Sequence, residues 1–425
     1  MTSLQRTIGV GQGVALYLGA VLGPGILVLP ALAAETAGPA SLIAWAAMIA
    51  LSLPIALTFS ALARTYPHAG GFAQYVEQAF GPTAGALTGW IFFFTIMLGF
   101  PFPVLIAGQY GAAIFGLGRD GAYLVGGGLA AVVLIANFFG LRLSARMQVA
   151  VTTVTILIIA AAIGGAIPRL QTGTFTPFLP HGVLTVGTAT VQIFTAFVGW
   201  EVITPLAEEF RNPERDIKRA TLLALIVVGV IYAAVAIITI GTHTYGETLL
   251  GAPPMGAMAA QSFGIGAQQA IGVMALFVTF ATVNAYVAGI TRLGFALGRA
   301  GQLPTWFATI HPRWQTPYHS LMLVGGAFVL STSASYLLNL QLSDAITVIT
   351  SATIVVYLLS MAAAIKLLRG AGRVAAVITL AAFLIVLPFI GFFLAWIAAV
   401  AAACLIYQRR RARQIAVAEA VDLSV

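Results

Sequence analysis

Residues that could do chemistry are scarce in this chain, and two short stretches stand out because they sit in apolar surroundings. In Phe197-Val198-Gly199-Trp200-Glu201, the glutamate is the only carboxylate well inside a long apolar run. An ionisable group there is costly to bury and reads by default as functional, either as a proton carrier or as an acceptor for freed backbone N–H groups. The other stretch is AVLGPGILVLP, Ala20 to Pro30, with Gly23-Pro24-Gly25 at its centre. Glycine and proline cost a helix interior roughly 1 and 3 kcal/mol against alanine. Each interruption is followed closely by a further proline, Pro30 in one case and Pro205 in the other.

A broken helix frees N–H and C=O groups, which apolar surroundings tolerate only where they face protein or a water-filled cavity. Freed N–H groups at a half-helix N-terminus attract a carboxylate, and freed carbonyls at an opposing C-terminus attract an ammonium. A zwitterionic amino acid carries both. Phe194, Phe197 and Trp200 would dress the pocket beside the second break, although aromatics also serve packing and lipid contact. No basic residue lies near either break, so a neutral, apolar side chain is expected.

The elements that must hold these groups follow from composition. The chain has 425 residues, of which 60% are hydrophobic and 8% charged; soluble domains average about 25% charged. About 20 apolar residues cross a bilayer as a helix, and long unalternated Ala/Leu/Ile/Val/Gly runs exclude a barrel. The predicted class is an all-α integral membrane protein with about twelve spans: 8–33, 41–63, 84–112, 122–141, 147–167, 184–208, 220–241, 268–297, 319–338, 344–366, 373–388 and 390–408, the last two run together around Pro388. The first run is too long for a signal-peptide core and is read as a retained span.

With the N-terminus inside, all but Arg119 and Arg169 of the 20 lysines and arginines fall on the cytoplasmic side. That is the positive-inside rule, and it predicts both termini in the cytoplasm. It also accounts for the net charge of +8 without nucleic acid, and for RRRAR at 409–413 as a topology anchor. The breaks fall in spans 1 and 6, so spans 1–5 (8–167) and 6–10 (184–366) form two repeats of opposite orientation, followed by two extra helices (373–408) and a cytoplasmic tail (409–425). Interrupted helices at matching positions of inverted halves point to a transporter's binding site.

Other chemistries find little support. Cys404 is the sole cysteine, and the five histidines (His68, His181, His243, His311, His319) show no metal-ligand spacing, so no disulfide and no metal site is expected. An intramembrane enzyme would need paired carboxylates or a Ser/His pair within spans, and a channel a charged ring or filter motif; neither is visible.

These residues give the chain a resemblance to the amino acid–polyamine–organocation transporter superfamily. Gly23-Pro24-Gly25-Ile26 is similar to the glycine-rich break of that family, and Phe197 to Glu201 to its span 6 break; YPHAGGFAQYVEQAFGP at 66–82, EEFRNPERDIKRA at 208–220 and GRAGQLPTWF at 298–307 resemble its loops. The similarity is greatest to the bacterial subfamily that exports methionine and branched-chain amino acids. The resemblance implies a LeuT-like fold in the bacterial inner membrane, alternating access, and proton-driven export of neutral hydrophobic amino acids. Uptake or amino acid/amine antiport is the alternative, and sodium remains open as the coupling ion. No other cofactor is implied, and a monomer or homodimer is expected.

By the same resemblance the substrate carboxylate meets backbone at Gly23, Gly25 and Ile26. The amino group meets carbonyls from Phe197 through Val198 to Gly199, with Trp200 or Phe197 as an aromatic gate. Asn284 and Tyr286 are candidate polar liners, with helix packing as their other reading. Some family members carry a proton-relaying lysine in span 5, where this chain has Thr155; Thr279 and Thr282 are candidates for a sodium-like site, or for bonds to their own backbone.

Overall fold

The computed structural model describes residues 4–99, 101–245, 266–338, 342–386 and 394–422. Among these residues the chain is helical, with no strand and a single isolated bridge between Ile8 and Phe210. The all-helical membrane class read from composition holds: six described helical stretches are long and apolar enough to cross a bilayer. Large apolar side chains such as Leu124, Ile226 and Leu330 are exposed on the outer surface. Lipid satisfies such a surface as water cannot.

Span 1 divides into α1 (Val10–Val21), a 3₁₀ turn (Pro24–Leu27) and α2 (Leu29–Ala37). Proline at the first position of the turn explains the division, since it has no N–H and fixes φ. Span 2 is α3 (Ser41–Thr65), and a short amphipathic helix, α4 (Phe72–Phe80), follows it. Span 3, predicted over 84–112, comprises α5 (Pro82–Gly99) and α6 (Pro101–Ile114), on either side of position 100, which lies outside the described residues. Spans 4 and 5 are α7 (Arg119–Phe138) and α8 (Leu141–Ala166).

Span 6 departs furthest from expectation. A helix, α9 (Leu184–Ile193), passes through a 3₁₀ turn (Phe194–Phe197) into the break. Beyond it comes only a second 3₁₀ turn, Thr204–Glu209, in place of an α-helical half, with Pro205 near its start. Span 7, α10 (Pro213–Gly241), has a clear local start: Asn212 caps it by accepting the Arg215 N–H at 3.3 Å, with Pro213, Glu214 and Asp216 in the first turn. Spans 8 to 11 are α11 (Ala267–Arg299), α12 (Tyr318–Leu338), α13 (Leu342–Leu367) and α14 (Ala371–Val386). The turn around Pro388 lies outside the described residues. The last helix, α15 (Leu394–Asp422), runs on through the basic segment expected to be a tail, and a Cβ on Gly301 would fall 1.8 Å from an Arg411 guanidinium nitrogen. Arg411 therefore packs directly on the loop after span 8.

One end of the bundle is tied by charge. Glu209 and Arg292 are both buried and meet at 2.7 Å, while the Glu209 carbonyl accepts the N–H groups of Thr7 and Ile8 at 2.9 Å each. Arg299 bonds Glu208 at 2.7 Å and His68 at 2.8 Å. Burial chiefly, with the Arg299 charge adding, lowers the His68 pKa against the opposing pull of Glu208. A neutral His68 is the form that accepts a bond from Arg299.

Candidate functional site

The two interruptions lie against each other. Gly199 has φ +127°, and a Cβ there would come within 2.9 Å of the Ala20 carbonyl carbon and oxygen. Only glycine can both adopt that conformation and admit so close a backbone. Span 6 thus turns away from helix directly over the end of α1.

Backbone groups are left free on both sides. At the first break the Leu22 N–H bonds Leu18, and the Ile26 N–H bonds the Gly23 carbonyl at 3.1 Å. The N–H groups of Gly23 and Gly25 have no backbone acceptor among the described residues. Ile26 was expected to share in holding a carboxylate, but its N–H is taken by the 3₁₀ turn. At the second break the Gly199 carbonyl accepts from Val202 at 3.2 Å, whereas the carbonyls of Phe197 and Val198 have no backbone donor among the described residues. Gly23, Pro24, Gly25, Val198 and Tyr286 stay partly exposed while Leu22, Ile26, Phe197, Gly199 and Trp200 are buried. Three of the four free groups, on Gly23, Gly25 and Val198, belong to partly exposed residues, and the fourth, on Phe197, to a buried one.

Among the described residues, a Cβ on Gly23 would find only Thr282 Oγ1, at 3.7 Å, and one on Gly25 only Leu29, at 2.8 and 3.5 Å. The described packing therefore leaves room at Gly23, and at Gly25 only a flexible side chain would have to give. Gly25→Ala should keep most of the flux after a small Leu29 shift, whereas Gly25→Leu should abolish transport with normal membrane insertion. Isotope flux and a membrane-fraction blot on both variants check this, and wild-type flux in Gly25→Leu would refute the cradle.

Tyr232, from α10, places its hydroxyl 2.9 Å from both the Val21 and Ala196 carbonyls, one at each break. A phenol has one proton, so it bonds one of the two at a time. Its ring packs on Phe197 at 4.9 Å and on Trp45 at 5.2 Å. Trp200 packs on Tyr17 at 5.5 Å, and its buried Nε1 has no hydrogen-bond partner among the described residues. Phe194 packs edge-on to Phe383 at 5.3 Å, and Phe383 stacks on Tyr357 at 4.9 Å.

Glu201 is fully buried and engaged by three donors. The Gly199 N–H reaches Oε2 at 3.0 Å, the Tyr286 hydroxyl reaches Oε1 at 3.1 Å, and the Tyr357 hydroxyl makes a short bond to Oε2. Sequence reasoning found Glu201 and Tyr286 but gave the carboxylate no partner; Tyr357, on α13 in span 10, had no distinguishing neighbours. Asn284 spends its whole capacity between helices. It accepts from Asn137 and Ser144, both at 2.8 Å, and donates to the Ser144 carbonyl at 3.2 Å and Gln148 at 2.8 Å. Thr155 bonds the Val151 carbonyl in its own helix at 2.9 Å. Thr282 donates to Gly19 at 2.8 Å, and Thr279 Oγ1 is buried without a hydrogen-bond partner among the described residues.

A family model described as amino acid permease matches residues 8–414, which takes in both breaks and all these side chains. The chain belongs to the amino acid permease family. Among its relatives, the uncharacterized amino acid permease YecA of Bacillus subtilis (strain 168) is 36% identical over 413 residues, 97% of each chain. The L-methionine/branched-chain amino acid exporter YjeH of Escherichia coli (strain K12) is 34% identical over 382 residues, 89% of this permease and 90% of that one. The branched-chain amino acid permease BcaP of Bacillus subtilis is 26% identical over 380 residues, 83% and 81% of the two chains.

Proposed function

We propose that this permease exports methionine and branched-chain amino acids across a bacterial inner membrane, driven by the proton gradient, with both termini in the cytoplasm. The observation that carries the reading is the composition of the strip between the breaks. It offers free backbone of both polarities and apolar or aromatic side chains, and among the described residues its one charged group, Glu201, is already held by three donors. A substrate with a charged side chain would find no free opposite charge among those residues. The 34% identity to a methionine and branched-chain exporter supports the same substrate class and direction. The basic residues gathered on one side support the orientation.

The carboxylate would meet the N–H groups of Gly23 and Gly25, the ammonium the carbonyls of Phe197 and Val198, and the side chain the faces of Phe197 and Trp200. Glu201 would be the proton site. It spans span 6, through Gly199, span 8, through Tyr286, and span 10, through Tyr357, so gain or loss of its proton changes which helices it holds together. Glu201→Gln is accordingly expected to flatten or displace the pH dependence of flux; an unchanged profile at normal rate would assign Glu201 to structure. The reading as a whole is tested by reconstituting the purified protein and measuring saturable leucine and methionine counterflow with and without a pH gradient. A non-saturating conductance would indicate a channel, and no movement of any amino acid would overturn the reading.

A further inference from the structure

Gln148 is buried in α8 and takes no part in the strip described above, yet it joins three spans. Its Nε2 donates to the Ala15 carbonyl in α1 at 3.1 Å and to the Ala281 carbonyl in α11 at 3.0 Å. Its Oε1 accepts from Asn284 at 2.8 Å. Two carbonyls on one end and an amide donor on the other fix which end carries the nitrogen. Thr152, one turn along α8, adds a bond to the same Ala15 carbonyl at 3.3 Å. Gly19 makes room for this arrangement, since a Cβ there would sit 1.9 Å from Nε2. The half-helix so held ends at the break that carries the Gly23 and Gly25 N–H groups.

We propose that Gln148 is a positioning residue for transport: its carboxamide docks the first half-helix on spans 5 and 8 so that the cradle faces span 6. Every partner of Gln148 is neutral: two carbonyls, the Thr152 hydroxyl and the Asn284 amide. The half-helix is therefore held by fixed N–H donors, and its docking needs neither a bound cation nor a proton. This rests on the amino acid transport reading.

The test replaces the amide by a group whose donor depends on pH. In Gln148→Glu an ionised carboxylate has no proton to offer and faces two carbonyls, whereas its acid form supplies one donor. Flux through Gln148→Glu proteoliposomes should rise about tenfold or more, relative to wild type at each pH, between pH 8 and pH 5.5, a tenfold change corresponding to about 1.4 kcal/mol of docking. Gln148→Leu should be slow at every pH. A readout independent of transport accompanies these. In a Cys404→Ser background, a cysteine at Ala15 should react with a maleimide in detergent several-fold faster when Gln148 is leucine. Gln148→Glu following the wild-type pH profile, or unchanged Ala15→Cys labelling, would each overturn the proposal. If wild-type vesicles move no amino acid, the transport reading fails, and the labelling result alone decides whether Gln148 docks the half-helix.

Discussion

Gly199→Ala is expected to abolish transport. The substitution asks alanine to adopt φ +127° and drives its Cβ to within 2.9 Å of the Ala20 carbonyl, a backbone group that cannot swing aside. Strain of this kind costs about 1–3 kcal/mol, and relief by separating the two breaks would displace the Phe197 and Val198 carbonyls from the Gly23 and Gly25 N–H groups. An oriented pair of sites spoiled by an ångström loses roughly a hundredfold in rate. The Gly199 N–H to Glu201 bond, 3.0 Å in the native arrangement, would be lost as well. Gly23→Ala is the control, because its Cβ meets only Thr282 Oγ1 at 3.7 Å. Leucine counterflow on both variants, with thermal melting in detergent, checks the expectation. Wild-type flux in Gly199→Ala would show that the breaks need not touch.

Arg292→Met is expected to have the largest effect on stability. Arg292 and Glu209 are both buried, and their 2.7 Å pair leaves neither exposed to solvent. Removing the guanidinium strands a buried carboxylate, at a cost of about 3–5 kcal/mol, whereas replacing both partners by apolar residues of similar volume is often neutral. The Arg292→Met/Glu209→Met double variant should therefore recover most of the melting temperature that the single variant loses. Because the Glu209 backbone carbonyl holds Thr7 and Ile8 at 2.9 Å, the same cycle reports on the seal where span 1 begins. A single variant that melts like wild type would show that the pair is solvated in the protein's working state.

The charge asymmetry and the hydropathy of the chain fixed its class without help from the fold. A bilayer demands apolar runs of set length, and the runs are there to be read. Local chemistry was equally legible at the first break, because Gly23-Pro24-Gly25 fails as helix for reasons internal to those residues. Glu201 declared itself by being a carboxylate among apolar neighbours. Arg292 did not, because it was counted with the basic residues that mark the cytoplasmic side although it lay within a predicted span.

What the sequence left undecided are the partnerships between residues far apart in the chain. Tyr357 and Tyr286 reach Glu201 across 156 and 85 positions, Tyr232 bridges two breaks, and Gln148 ties α1 to α11. Nothing local distinguishes these side chains from others of their kind. A tyrosine or glutamine in an apolar run is ambiguous until its polar atom has somewhere to go, and only helix packing brings an acceptor within 3 Å. Asn284 makes the same point, since its reading as a cavity liner or as helix packing turned on neighbours that the sequence does not place. The sequence by itself determined that helices must break and which kinds of backbone group a break frees, because those are properties of glycine, proline and the peptide group. Tertiary structure decided which side chains hold the breaks together, because that depends on how the helices pack.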